Sequence, residues 1–118
     1  MMQPADDRVP VRFGSADAAG RDAALLVEGD APVPAAHPLA RFKVAVGLAG
    51  HQFGCTCCVP RGPVAEALSR LFLARARGET AYFRSVVAVT ETPAGEAAVR
   101  AALGEDQVSA GRFRLAQR

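Results

Sequence analysis

The sequence predicts one small α/β domain with a mostly parallel sheet and flanking helices. A length of 118 residues fits a single domain. In the second half, a segment with apolar residues at helical spacing is followed by a short continuous apolar run. Such a run is typical of a strand covered on both faces. Helices and strands joined by short links favour a parallel sheet. We therefore expect three to five strands and two or three helices, preceded by a flexible tail at residues 1–8.

The first half of the chain carries shorter and weaker patterns. Apolar side chains predict short strands over residues 9–13 and, with partial alternation, over 40–47. Residues 23–28 are apolar and fit either a helix or a strand. Loops are predicted where glycine, proline and small residues cluster, over residues 15–22, 29–38 and 48–62.

The clearest predicted helix spans Pro63 to Arg77. Proline suits the first helical position, because an N–H group there would be unpaired anyway, and Gly78 can end the helix in the left-handed conformation. Arg75 and Arg77 fall in the last turn, where the helix dipole favours positive charge. The apolar stripe of this helix consists of Val64, Ala67, Leu68, Leu71 and Phe72.

A buried strand and further helices are predicted next. The run Val-Val-Ala-Val at 86–89 indicates a covered strand within residues 82–89. A second helix is predicted over 92–103, because threonine followed by proline suits a helix start, and Gly104 is expected to end it. A shorter helix is expected over 105–110.

Composition excludes several classes of protein. The formal net charge of +2 is too weak to indicate a nucleic-acid partner. No stretch approaches the roughly 20 apolar residues that a membrane span needs, and the N-terminus lacks the apolar core of a signal peptide. The expected location is therefore the cytoplasm, with neither nucleic acid nor a membrane as partner.

All three cysteines lie within four residues, in Gly54-Cys55-Thr56-Cys57-Cys58. Thiolates bind Zn²⁺ well, and such a cluster in a cytoplasmic protein indicates metal or redox chemistry more than a disulfide framework. Zinc usually takes four ligands, so His51, water or a residue of a partner chain would complete the set. A thiol redox role and plain packing of small buried cysteines stay as alternatives.

Two stretches resemble the CobW-type GTPases, relatives of the UreG and HypB nickel chaperones. The cysteine motif and the amphipathic helix after it are similar to the family's Gly-Cys-x-Cys-Cys metal motif and helix. Residues 86–95, Val-Val-Ala-Val-Thr-Glu-Thr-Pro-Ala-Gly, look like the family's buried strand ending in Glu-Thr-Thr-Gly or Glu-Ser-Ser-Gly at the γ-phosphate. The resemblance implies a trimmed CobW-like GTPase fold, a position near the nucleotide for Glu91, and metal binding by Cys55, Cys57 and Cys58.

The phosphate loop of that family, Gly-x-x-x-x-Gly-Lys-Ser/Thr, is degenerate in this chain. The corresponding stretch, residues 15–22, keeps Gly20 but has Arg21 at the lysine position and Asp22 at the hydroxyl position. A forked arginine does not replace lysine there, and a carboxylate repels phosphates. The sole lysine is Lys43, and no asparagine exists to build the guanine-reading Asn-Lys-x-Asp motif. We therefore expect neither GTPase activity nor a GTP cofactor, with a remnant nucleotide site at Gly20, Arg21, Asp22 and Glu91. The alternative for Arg21 and Asp22 is a charged turn that simply opens a helix.

The function predicted from the sequence is non-catalytic metal binding, in metal trafficking or sensing. Zn²⁺ is the favoured ion and Co²⁺ a substitute, with Cys55, Cys57, Cys58 and, as a candidate, His51 as ligands. The expected partner is a metal-receiving or cognate protein, and a second subunit could close the site in a homodimer. Two alternatives remain: an interaction subunit that kept the fold without metal chemistry, and a GTPase relative that binds nucleotide weakly.

Overall fold

The computed structural model describes residues 7–44 and 62–116, and within these ranges it shows a five-stranded parallel sheet with α-helices packed on it. In chain order the elements are β1 (Val9–Phe13), a 3₁₀ turn (Ala16–Ala18), β2 (Ala23–Glu28), β3 (Leu39–Phe42), α1 (Pro63–Ala76), β4 (Ser85–Val89), α2 (Pro93–Glu105), α3 (Gln107–Arg112) and β5 (Phe113–Leu115). The strand order across the sheet is β3-β2-β4-β1-β5. The predicted fold class is confirmed, and the arrangement is consistent with a trimmed P-loop-like α/β domain.

Strand β4 occupies the centre of the sheet, between β2 and β1. Leu25 of β2 pairs with Val87, and Val11 of β1 pairs with Val86. All six residues of β2 and the middle three of β4 are buried. Continuous apolar runs are what a parallel strand needs when both of its faces are covered. This burial explains why residues 23–28, which fit either a helix or a strand, form a strand.

The main hydrophobic core lies between one face of the sheet and the helices. Successive side chains of a strand point to opposite faces, so Leu26 contributes to this core while Leu25 lies on the other face. The members of the core are Val9, Val11, Ala24, Leu26, Ala40, Phe42, Val64, Ala67, Leu68, Leu71, Phe83, Val86, Ala88, Val99, Leu103 and Phe113. On the opposite face a smaller cluster is covered by the 3₁₀ turn and the following loops, and its members are Ala23, Leu25, Val27 and Val87, with Ala16, Ala19, Val33 and Val89 packed against them.

Three helices are found where three were predicted, with shifts at their ends. Helix α1 begins at Pro63 as predicted, ends at Ala76, one residue early, and is followed by Gly78 with φ of +74°. The short helix predicted over 105–110 is α3, which lies two residues later, at Gln107–Arg112. Helix α2 begins after Thr92, but the predicted stop at Gly104 is wrong, because the helix continues through this glycine to Glu105. The residue that separates α2 from α3 is Asp106, whose carboxylate accepts a hydrogen bond from the N–H of Ser109 at 2.9 Å.

Two strands differ from the prediction. Strand β3 begins one residue earlier than predicted and ends at Phe42, while residues 45–47 of the prediction lie outside the described part of the chain. Strand β5 was not predicted, since three residues are too few to establish a periodicity. Most of the predicted tail at 1–8 also lies outside the described residues. None of the helices described is long and apolar enough to cross a bilayer.

Candidate functional site

The candidate site lies at the carboxyl edge of the sheet, where β2 and β4 end. In open α/β sheets ligands bind outside the carboxyl ends of the strands. Val27 and Val89 are paired in register, so Glu28, the last residue of β2, lies beside the turn at 91–92 that follows β4. That turn leads directly into α2.

The carboxylate of Glu28 is buried and hydrogen-bonded, with the residue only 6% exposed. Its Oε1 accepts from the backbone N–H of Glu91 at 2.6 Å and from that of Thr92 at 3.0 Å. Its Oε2 accepts from the hydroxyl of Thr92 at 2.7 Å. The same Thr92 oxygen accepts from the N–H of Gly95 at 2.9 Å and so caps α2. A chain of hydrogen bonds therefore joins the end of β2 to the first turn of α2.

The ionised form of Glu28 is the favoured one. Burial raises the pKa of this carboxyl, but hydrogen bonds from the Thr92 hydroxyl and from the N–H groups of Glu91 and Thr92 outweigh burial and hold the pKa below its ordinary value of 4.5. The positive end of the helix dipole of α2 acts in the same direction. At neutral pH a fixed negative charge therefore lies ahead of α2.

Two glycines make room for this arrangement. A Cβ atom on Gly95 would collide with the carboxylate of Glu28, so the first turn of α2 can approach this close only with glycine there. Gly29 has φ of +86°, in the left-handed region that favours glycine. A Cβ on Gly29 would also lie 2.9 Å from Oε1 of Glu91. The exposed carboxylate of Glu91 thus lies against the backbone that follows β2.

The loop after β2 is held in place from β3. Arg41 donates from Nη1 to the carbonyl oxygen of Gly29 at 2.7 Å and from Nη2 to that of Ala31 at 2.9 Å. Lys43 forms an ion pair with Asp30 at 3.0 Å. Both side chains of that pair are well exposed, and such pairs contribute little to stability. The hydrogen bonds of Arg41, together with the bond from the N–H of Gly29 to the carbonyl oxygen of Phe42 at 2.9 Å, therefore hold the loop more firmly than this ion pair does.

At the start of α2 the protein's own carboxylate fills an anion site. Backbone N–H groups ahead of a helix are ready donors to a phosphate. Here the N–H groups of Glu91 and Thr92 both donate to Glu28. A phosphate at this position would have to displace a buried, ionised side chain. The geometry does not support a nucleotide phosphate beside Glu91, the position that the resemblance implies.

The other residues of the predicted nucleotide remnant lie at the opposite, amino edge of the sheet. Gly20, Arg21 and Asp22 directly precede β2, and the carbonyl oxygen of Asp22 accepts from the N–H of Arg84, ahead of β4, at 2.8 Å. A phosphate loop opens a helix, whereas this turn opens a strand at Ala23. The structure does not bring these three residues together with Glu91.

The predicted metal ligands lie outside the described residues. They are His51, Cys55, Cys57 and Cys58, and their segment follows Val44 and precedes Gly62, the N-cap of α1. Within residues 7–44 and 62–116, no group of three or more His, Cys, Asp or Glu side chains is placed to hold a metal ion. The metal site therefore stays a prediction from the sequence.

Glu28 is not among the site residues that the sequence predicts. A signal for it exists, because Glu28 ends an otherwise apolar strand and is followed at once by a glycine. A charged residue closing a buried strand must find partners, and the parallel sheet supplies them at the end of the neighbouring strand.

Comparisons with known proteins identify no relative. The chain matches no protein-family model, no curated protein and no solved structure.

Proposed function

We propose that this protein is a non-catalytic metal-binding protein that holds Zn²⁺ through Cys55, Cys57 and Cys58 and acts in metal trafficking or sensing. The observation that carries the proposal is the confinement of every cysteine of the chain to four residues. Three thiolates are a donor set that suits zinc, and tetrahedral zinc leaves a fourth position for His51, water or a partner's side chain. A site with an exchangeable fourth ligand suits metal transfer.

The end of the described strand ahead of the cysteine segment supports the proposal. Strand β3 ends at Phe42, at the same carboxyl edge as Glu28 and Glu91, and the cysteines come later in the sequence, before Gly62. Open parallel sheets use this edge for ligands. The backbone donors ahead of α2 are already taken by Glu28, so a metal site on the cysteines is a better proposal for this chain than a phosphate site at this edge.

Elemental analysis of the purified full chain tests the proposal. We expect about one Zn²⁺ per chain after zinc is supplied and excess metal removed, as a single tetrahedral site requires. The triple variant Cys55→Ser/Cys57→Ser/Cys58→Ser should lose that zinc. The matched control is Thr56→Ala, which changes the same motif without removing a thiol. Equal zinc content in all three proteins would refute the site.

The same preparation separates this function from the fold-retaining interaction subunit. A structural zinc contributes on the order of 10 kcal/mol to the folding of small domains. Zinc should therefore raise the thermal midpoint of the wild type but not that of the triple variant. A wild type that neither retains zinc nor changes its midpoint favours the interaction subunit.

A further inference from the structure

A cationic and aromatic surface lies at the amino edge of the sheet, on the side opposite Glu28. It consists of Phe72 and Arg75 in the last turns of α1, Tyr82 and Arg84 ahead of β4, and Arg112 at the end of α3. We call these five residues the arginine–aromatic patch. Three guanidinium groups are gathered there around two aromatic rings.

The rings orient the guanidinium groups. The Cζ of Arg112 lies 4.4 Å from the ring centroid of Phe72, and the Cζ of Arg75 lies 5.4 Å from the same centroid. Arg75 also lies 4.4 Å from the ring centroid of Tyr82, and Arg84 lies 5.7 Å from it. Stacking on a ring holds the planar guanidinium fork in a limited range of directions, which reduces the entropy lost when the fork binds an anion.

Positive charge in the patch exceeds the negative charge beside it. Arg84 forms an ion pair with Asp22, with Nε 3.8 Å from the carboxylate oxygen. Within the described ranges Arg75 and Arg112 form no ion pair, and Arg75 uses Nη1 to donate to the carbonyl oxygen of Phe83 at 2.8 Å. As far as the described residues go, several N–H groups of these two half-buried arginines therefore remain for an outside acceptor.

Tyr82 adds an apolar contact to this charged surface. The residue is 61% exposed, although Arg75 of α1 and Arg84 ahead of β4 both approach its ring. Tyrosine, phenylalanine and arginine are the residue types enriched in protein–protein interfaces and among their energetically dominant positions. The patch thus has the composition of a protein-binding surface.

We infer that the arginine–aromatic patch binds an acidic segment of a partner protein, with carboxylates on the guanidinium forks and an apolar side chain on Tyr82. Arginine forks match carboxylates in a bidentate geometry. A nucleic-acid strand fits less well, because it needs an extended basic track. The formal net charge is only +2, and the one lysine, Lys43, is paired with Asp30 at the other edge. The inference is separate from the zinc proposal, since no patch residue is a proposed metal ligand.

Fluorescence anisotropy with the full-length protein tests this inference. The probes are a fluorescein-labelled peptide rich in glutamate and leucine, the same peptide with glutamine in place of glutamate, and an oligodeoxythymidine strand of equal net charge. The test variants are Arg84→Gln/Arg112→Gln and, separately, Tyr82→Ala. The matched control is Arg12→Gln/Arg77→Gln, which removes the same charge from exposed arginines outside the patch. Circular dichroism melts establish that each variant folds.

We expect the acidic peptide to bind and the double patch variant to weaken it at least about tenfold, with a smaller loss for Tyr82→Ala and little change in the control. The glutamine peptide should not bind. Three results would overturn the inference: no measurable binding of the acidic peptide, an equal loss of affinity in the patch and control variants, or tighter binding of the oligodeoxythymidine than of the peptide. If the patch variant does not fold, the arginine side-chain Nε–H signals of the wild type are followed by NMR during titration with the acidic peptide. A titration that shifts none of the signals of the patch arginines counts against the inference.

Discussion

The hydroxyl of Thr92 donates to Oε2 of Glu28 at 2.7 Å, and the oxygen of that hydroxyl accepts from the N–H of Gly95 at 2.9 Å. One side chain therefore satisfies a buried charge and caps a helix. Glu28 and Thr92 are 64 residues apart in the sequence. The contact ties the end of β2 to the start of α2. A substitution of either residue should therefore weaken both the binding of the buried carboxylate and the cap of the helix.

Replacing Glu28 with glutamine should destabilise the protein by roughly 1–3 kcal/mol, the range for leaving buried polar groups unsatisfied. The amide oxygen can keep the bonds from the N–H groups of Glu91 and Thr92, but the NH₂ group in place of Oε2 cannot accept from the Thr92 hydroxyl, and the charge that favours the charge-assisted bonds is lost. Urea denaturation followed by circular dichroism measures the change. The control is Glu105→Gln, which alters an exposed carboxylate at the end of α2. It should change stability by less than about 0.5 kcal/mol, and equal effects of the two substitutions would contradict this role of Glu28.

Stability should depend on pH through Glu28. Its pKa in the folded protein lies below its ordinary value of 4.5, so in acid the unfolded chain binds a proton more readily than the folded one. The contribution of Glu28 is therefore present above pH 4.5 and is lost as the pH falls through the lowered folded-state pKa. We expect the stability difference between wild type and Glu28→Gln to be constant near neutrality and to shrink in acid. A difference that grows as the pH falls would reverse the assigned direction.

The elements predicted correctly are those whose signals are local. Helix α1 has its stripe, its proline start and its following glycine within one stretch of chain, and the buried run of β4 is continuous. Strand β5 has no such signal, because it forms through pairing of Phe113 with Val9, more than 100 residues away. Gly104 does not end α2, although glycine often follows a helix end; the helix continues to Glu105, and the next residue, Asp106, caps α3 with its side chain.

The candidate site was predicted less well than the fold, for a related reason. The strand order places Glu28 beside residues 91–92, and that neighbour relation cannot be obtained from spacing along the chain. The parallel direction of β2 and β4 places residues 20–22, ahead of β2, at the opposite edge from Glu91, which follows β4, although the family resemblance assigns them to one nucleotide site. The cysteine motif needs no such relation, since its three proposed thiol ligands are close together in the sequence. Metal analysis therefore tests that prediction directly.

Gly95→Ala and Gly104→Ala should have opposite effects, although both replace a glycine within α2. A Cβ on Gly95 would collide with the Glu28 carboxylate, so we expect a loss of about 1–3 kcal/mol, as overpacking produces. A Cβ on Gly104 would meet no atom within 4 Å, so alanine should stabilise the helix by about 0.5–1 kcal/mol. Urea denaturation of both variants measures these changes. Stabilisation by Gly95→Ala would show that the close packing of α2 on Glu28 is not required.

Zinc affinity should weaken as the pH falls from about 8 to about 6, because cysteine thiols have an ordinary pKa of about 8.5 and must lose their protons to bind the metal. Competition with a zinc chelator of known pH dependence, carried out on the full chain, measures this. Cys57→Ser should lower the affinity and flatten its pH dependence, since one titrating ligand is gone, while Thr56→Ala should leave both unchanged. The charge state of Glu28 does not change over this pH range, since its pKa lies below 4.5, so loss of its contacts cannot imitate the effect. Zinc binding that is equally tight at both ends of the range, or a Cys57→Ser variant indistinguishable from the wild type, would mean that thiolates are not the ligands.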